Sequence, residues 1–515
     1  MGKVLMVQGT GSSVGKSVLV AGLCRLFART GLRVAPFKAQ NMSLNSYVTL
    51  EGGEIARSTA EQAAAAGIEP TVDMNPVLLK PEGNARSQVI VRGRPVGSLA
   101  AREYYRDRGK RQELWSLVTE SLNWLRGKYD LVVIEGAGSP VELNLKQGDI
   151  VNMAVARWAQ APVLLVGNID HGGIFASLIG TCILLEPEER VLVAGLVVNK
   201  FRGDSSLFAE GVRILEDRSG VPVLGVLPFL PDLRVAEEDS TALDPPRLQS
   251  GTENAEITIA VPRLPRISNF DDFDPLQSEP GVRVRFVDRP EHLGTPDLLV
   301  LPGSKSTLSD LEWLRQSGLA DLMMRLAEGG TPVIGICGGF QIMGTTIYDP
   351  EHVESPESQA EGLGLLPVTT TFGGTKATHR VTGRVSPSAA RGLLAGAEGA
   401  PLSGYEIHMG ISNVEGESAF TLSRSGEVGD HPDGALSEDG LRLGTYVHGL
   451  FQNDAVRQSV LCAVHSRSGR EGAELLRPGV SWSRQASYDR LADMLGEHMD
   501  MERLWRIVGL DRVTS

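Results

Sequence analysis

Two stretches of this chain place chemically active residue types at the end of an apolar run. In the first, KVLMVQ leads into Gly9-Thr10-Gly11-Ser12-Ser13-Val14-Gly15-Lys16-Ser17, and VLVAGLCRLFART follows with apolar residues at helical spacing. A strand, a loop of small residues and a helix N-terminus in that order make a phosphate cradle, because backbone N–H groups turn inward and the helix dipole adds positive potential. Within it Lys16 would reach the terminal phosphates and Ser17 would ligate Mg2+. The first glycine falls one residue early for the strict GxxxxGKS pattern, which would put it at Thr10, and a flexible linker is the plainer alternative. The flanking strand and helix argue for the cradle.

Three further residues sit where they could serve such a cradle. Glu135 ends the run DLVVIE and could hold the metal directly or through water, the alternative being a solvated turn glutamate. Asn199 follows VLVAGLVV and could meet an adenine at the carboxyl edge of a parallel sheet. Lys38 ends RVAPFK; if the first two strands are close it places a cation between phosphate and an incoming anion, and a surface lysine is the rival reading. The polar residues Gln40 to Ser43 could line the same crevice.

In the second stretch, Pro332-Val-Ile-Gly335-Ile-Cys337-Gly338-Gly339-Phe340-Gln341 puts a cysteine between an apolar strand and a helical pattern, with glycine on its C-terminal side. That is the layout of a nucleophile elbow, where the turn is strained and a helix N-terminus favours thiolate. Cys24, Cys182 and Cys462 lie in apolar helical contexts and are expected in the core. A cysteine nucleophile needs a base within reach. Of nine histidines, His448 is favoured because LRLGTYVHG reads as a strand ending at the imidazole, with His408 in GYEIHMG as its rival. Backbone N–H groups near Gly303, in LPGSKS, and Gly338 could bind an oxyanion.

Alternating elements must position these residues. From Lys3 to about Pro231 the β-branched runs KVLMVQ, RVAPFK, YDLVVIEG, APVLLVG, VLVAGLVVNK and VPVLGVLP alternate with helical stretches, as in a parallel sheet covered on both faces. A Pro-, Ser- and acid-rich stretch follows, and then a second series: ITIAVPRL, VRVRFVD, PDLLVLPG, TPVIGICGG and LRLGTYVHG. The expected organisation is an α/β domain over 1–235, a linker over 236–255, a second α/β domain over 256–455 and a helical C-terminal extension over 456–515.

The composition agrees. The 515 residues predict two or three domains, and 42% hydrophobic with 22% charged residues is ordinary globular usage. A net charge of −13 offers no basic footprint for nucleic acid and would be repelled by an anionic membrane. Four scattered cysteines indicate a reducing compartment, and there is neither a signal-peptide pattern nor an apolar run of about 18 residues. A cytoplasmic protein with no membrane and no nucleic-acid partner is expected.

A phosphate loop in one domain and a Cys/His acyl-transfer pair in another suggest ATP-driven amidation with nitrogen taken from an amide. In order along the chain, KAQNMS, NPVLLKP, IEGAGSPVELNL, DIVNMAVA, VVNKFRGD, LPRISNFDDFDPL, LPGSKST, GICGGFQIMG, EGLGLL, GYEIHMG and GTYVHGLF resemble the cobyric acid synthase family. The resemblance implies a dethiobiotin-synthetase-like P-loop ATPase domain followed by a class I glutamine amidotransferase domain. It implies a ligase that uses ATP, Mg2+ and glutamine to convert four peripheral carboxylates (b, d, e and g) of adenosylcobyrinic acid a,c-diamide, a corrinoid, into carboxamides. Cys337 is similar to the family's nucleophile, His448 to its second active-site residue, and Lys16 and Ser17 match its phosphate loop. Many class I amidotransferases carry a glutamate two residues after the histidine to orient it; here that position is Leu450, which leaves the orienting group open. His171 in NIDHGG likewise stands where the family pattern has arginine.

Rival readings are the sister cobyrinic acid a,c-diamide synthase, a partitioning-type P-loop ATPase switch, and a scaffold with an inactive amidotransferase half. The switch would carry a lysine four residues before Gly15, where this chain has Gly11, and the scaffold would lack Cys337 or His448. Lys38, Lys80, Arg86 and Arg92 are candidate contacts for an anionic corrinoid.

Overall fold

The six apolar runs of the first half are all strands of one parallel sheet: β1 (Lys3–Gly9), β2 (Val34–Phe37), β3 (Leu131–Glu135), β4 (Val163–Asn168), β5 (Val193–Phe201) and β6 (Val223–Pro228), in the order β6-β5-β4-β1-β3-β2. Successive residues explain their unbroken hydrophobicity. Leu5, Val7, Val133, Leu164 and Val197 face one apolar cluster, while Val4, Met6, Val132, Leu165 and Val198 face another. Both faces are buried, so alternation with polar residues is absent. The first face is covered by α1 (Lys16–Ala28).

The five runs of the second half behave alike. β7 (Ile257–Pro262), β8 (Val282–Val287), β9 (Leu298–Leu301), β10 (Val333–Ile336) and β11 (Arg442–Thr445) form a parallel array in the order β8-β7-β9-β10-β11, closed by the antiparallel Ala435–Leu436. An antiparallel sheet built around the long strands Val368–Val385 and Pro401–Val414 lies between β10 and β11 in sequence. Its half-exposed strands left no apolar run to read.

The computed structural model describes residues 1–83, 86–100, 107–230, 233, 255–468 and 483–510. These fall into two units: Met1–Ser43, Gly53–Glu238 and Ser483–Ser515 in the first, Leu44–Gly52 and Asp239–Trp482 in the second. Two sequence expectations change. The C-terminal helices are not one extension: Asp454–Arg467 belongs to the second unit, whereas Arg484–His498 and Met501–Val508 belong to the first. The latter pair packs on α1, with Arg25 on Asp489 at 2.8 Å, Arg29 on Asp493 at 2.6 Å and the Trp505 ring edge-on to Phe27. Residues 44–52, expected in the first domain, belong to the second unit. The linker read at 236–255 lies outside the described residues apart from Ala255.

Cys24 and Cys182 are buried as expected, but Cys462 is exposed, because it occupies the outer face of its helix. Among the described residues no helix is long and apolar enough to cross a membrane.

Candidate active site

In the first unit the chain leaves β1 into the glycine-rich loop and enters α1 at Lys16. Gly15 has φ 97°, a conformation few side chains tolerate, and a Cβ there would fall 2.3 Å from Asn199 Nδ2. Lys16 Nζ donates to the carbonyl oxygens of Gly11 (2.8 Å) and Gly138 (3.1 Å), which holds the ammonium inside the loop. Ser17 Oγ donates to Glu135 Oε1 at 2.8 Å.

Glu135 is fully buried and is no solvated turn residue. Because β3 lies between β1 and β2, Lys38 at the end of β2 reaches Glu135 rather than β1 itself, and its Nζ lies 2.9 Å from Oε1. Gln62 Nε2 donates to the other oxygen at 2.5 Å. Burial penalises the carboxylate's charge, but Lys38, Gln62 and Ser17 outweigh it and hold the group below its ordinary range. Gln62 escaped the sequence reading because it sits mid-helix in Arg57–Ala65, with no strand end to mark it.

Asn199, read as an adenine contact, braces the loop: its Nδ2 donates to Val14 O at 2.9 Å and its Oδ1 accepts from Lys200 N–H. Lys200 Nζ donates to Ser13 O at 3.0 Å. Of the anion contacts suggested above, Lys80 is buried on Glu54 at 2.7 Å, Arg86 donates to Ser98 O, and Arg92 pairs with Glu120. His171 is exposed.

In the second unit β10 ends at Cys337, whose φ of 53° and ψ of −110° place a non-glycine residue in a strained conformation. The helix α2 (Gly338–Met343) starts immediately after it. A Cβ at Gly339 would come 2.2 Å from Leu301 O, and one at Gly335 2.5 Å from Met343 Sδ, so only glycine fits the turn. Cys337 N–H donates to Thr445 O at 2.8 Å, which ties the elbow to the end of β11. Three residues further along comes His448, near enough to the cysteine side chain for the two to interact electrostatically.

The group that orients the imidazole is Asp272. Its Oδ2 lies 2.7 Å from His448 Nδ1, its Oδ1 accepts the Gly449 N–H at 2.7 Å, and both side chains are buried. Burial alone would lower the His448 pKa, but the adjacent Asp272 and Cys337 raise it to about 10. Leu450, at the position where a glutamate was sought, is fully buried among apolar residues. Asp272 comes from the turn Phe270–Phe273, nearly two hundred residues upstream, so no local spacing could have linked it to His448.

His408 fills another role. Its Nδ1 donates to Gly410 O at 3.0 Å, its ring stacks on Tyr446 at 3.6 Å, and burial pushes its pKa down to about 4. It is neutral near pH 7, with its one N–H proton held by the Gly410 carbonyl. Gly303 and Gly338 both line the site: a Cβ at Gly303 would lie 2.9 Å from His448 Cε1, and one at Gly338 2.9 Å from the Ser304 nitrogen.

Comparison with known proteins adds the family. Residues 5–242 match the CobQ/CobB/MinD/ParA nucleotide binding domain, and residues 258–456 match the CobB/CobQ-like glutamine amidotransferase domain. The chain is 54% identical over 521 residues to a cobyric acid synthase of Sorangium cellulosum, covering 99% of each chain. It is 51% identical over 517 residues to that of Moorella thermoacetica (99% and 98% covered), and 49% identical over 510 residues to that of Dehalococcoides mccartyi strain CBDB1 (99% of each). With 49 to 54% identity to these curated relatives over nearly the whole of each chain, the chain belongs to the cobyric acid synthase family.

Proposed function

We propose that this enzyme amidates the b, d, e and g carboxylates of adenosylcobyrinic acid a,c-diamide, taking nitrogen from glutamine and driving the reaction with ATP. The observation that carries the reading is the Cys337–His448–Asp272 array in a chain that also holds the Lys16–Ser17–Glu135–Lys38 cluster.

In the second unit, the Cys337 thiolate attacks the side-chain amide carbon of glutamine. His448, protonated and held by Asp272, gives its proton to the departing ammonia. Neutral His448 then takes a proton from water as the water attacks the thioester, releasing glutamate and restoring the pair. Asp272 is a positioning residue, fixing the tautomer and orientation of the ring.

In the first unit, a corrinoid carboxylate attacks the γ-phosphorus of ATP, giving an acyl phosphate and ADP. Ammonia displaces the phosphate and forms the amide. Carboxylate and ammonia alone would form only a salt, so phosphorylation supplies the leaving group. Lys16 and Lys38 are the cations available to the transferring phosphoryl group. Ser17 Oγ and Glu135 Oε1 are hard oxygens 2.8 Å apart and would hold Mg2+. When bound there, that ion supplies charge neutralisation at the phosphates.

The test is incubation of the protein with glutamine, ATP, Mg2+ and adenosylcobyrinic acid a,c-diamide, following the corrinoid by mass spectrometry. Four successive carboxyl-to-amide conversions are expected, lost in Cys337→Ala with glutamine and restored by free ammonia. If the diamide is unchanged while cobyrinic acid gains two amides, the enzyme is the sister diamide synthase.

A further inference from the structure

The segment Leu44–Gly52 belongs to the second unit although the chain on either side of it belongs to the first. Its residues Asn45, Ser46, Val48 and Thr49 are buried. Asn45 Oδ1 accepts the Asn269 N–H at 2.7 Å, and the Ser46 N–H donates to Asn269 Oδ1 at 2.8 Å, a reciprocal pair. Asn269 has φ 53° and ψ 42°, and it opens the turn Phe270–Phe273. Its carbonyl accepts the Asp272 N–H at 3.1 Å. The Asn45 side chain therefore fixes the left-handed residue from which Asp272 springs, and Asp272 holds His448.

A second contact converges on the same imidazole. The Tyr47 ring meets Tyr405 edge-on at 5.0 Å, and Tyr405 stacks on His448 at 5.3 Å with 20° between the planes. Tyr405 and His448 also exchange two backbone hydrogen bonds. Val48 packs on Tyr405 and Ile407, and the Ile407 carbonyl faces Cys337 Sγ at 3.4 Å.

We infer that Asn45 is a positioning residue for glutamine hydrolysis, acting through Asn269 and Asp272 on His448. The glutaminase is thus completed by a segment that precedes the rest of its unit by about two hundred residues. This inference rests on the assignment of Cys337 and His448 to glutamine hydrolysis.

The test compares full-length Asn45→Ala with the parent for glutamate release and for ammonia-dependent amidation across a pH series. Expected is a fall of about 10²-fold in kcat for glutamine, since small misplacements of a catalytic group cost that much. KM for glutamine should be little changed, the alkaline limb of the pH profile should move down as Asp272 loses its grip, and ammonia-dependent amidation should be preserved. Asn45→Ser, which keeps a polar group but draws the oxygen back, should give a smaller loss of the same kind and serves if the alanine variant is insoluble. Parental kcat and pH profile in both variants would overturn the inference, as would a loss shared equally by the ammonia-dependent reaction. Glutamate release persisting in Cys337→Ala would instead overturn the underlying assignment, whatever Asn45 does.

Discussion

Asp272 and Glu135 are both buried carboxylates, yet each is answered by a different partner, and that difference predicts how each fails. Asp272 faces a histidine whose folded-state pKa, about 10, lies above the ordinary value of 6.5. A raised histidine pKa stabilises the fold fully below the ordinary value, and this contribution is lost as pH rises through about 10. Glutamine hydrolysis, which needs the imidazolium, should therefore hold to well above neutral pH. In Asp272→Asn the alkaline limb should move down toward the ordinary histidine range and kcat should fall about 10²- to 10⁴-fold, with ammonia-dependent amidation intact. An unmoved limb in a pH–rate series would show that the carboxylate does not govern the ring. Glu135 instead answers Lys38, itself only 1% exposed. Glu135→Gln leaves that ammonium buried without its carboxylate, a cost on the order of 3–5 kcal/mol. Calorimetry should show a lowered melting temperature, and amidation should be lost even with ammonia. The double variant Glu135→Gln/Lys38→Met should regain stability but not amidation; if amidation returns, the pair is structural only.

At the level of elements, both parallel sheets were readable because a strand buried on two faces writes an unbroken apolar run. The elbow was readable because a strained cysteine needs glycine beside it. Neither rule reaches Asp272 or Gln62, which act across long sequence separations from a 3-10 turn and a helix interior. The antiparallel sheet around Val368–Val385 escaped for a related reason: its strands alternate with exposed polar residues and write no apolar run. The strand β11 shows how closely these elements are fitted. A Cβ at Gly444 would fall 2.0 Å from the Phe340 ring on α2, the helix that starts at the elbow. Gly444→Ala should push α2 and disturb Cys337, lowering glutamine hydrolysis about 10-fold or more while ATP binding is kept. Paired assays of glutamate release and nucleotide titration check this; equal loss of both would point to general unfolding instead.

Over the whole molecule, the division of the chain is not a cut at one linker. The second unit takes in Leu44–Gly52 from near the start of the sequence, and the first takes in Ser483–Ser515 from its end. A composition-based boundary can find the Pro- and Ser-rich stretch between two α/β patterns, but it cannot see that an amphipathic helix after the second pattern belongs to the first. The reason lies in α1. Its side away from the sheet carries Ala21, Gly22 and Arg25, and Tyr488, Leu491, Leu495 and Asp489 of the C-terminal helix lie against it. A Cβ at Gly22 would fall 2.7 Å from Leu495, so the fit requires the smallest residue at the crossing. Burying Leu491, Leu495, Leu504, Trp505 and Val508 is worth about 2 kcal/mol each, on the order of 10 kcal/mol in all. That is comparable to the net stability of a whole domain, about 5–15 kcal/mol. A chain ending at Trp482 should therefore lose the folded phosphate loop: nucleotide titration should show no binding, and amide hydrogens of α1 should exchange without protection. Adding the peptide 483–510 should restore both in proportion to its concentration, because binding only the folded unit stabilises it by mass action. Full ATP binding and a protected α1 in the shortened chain, with no response to the peptide, would show that α1 needs no such cover.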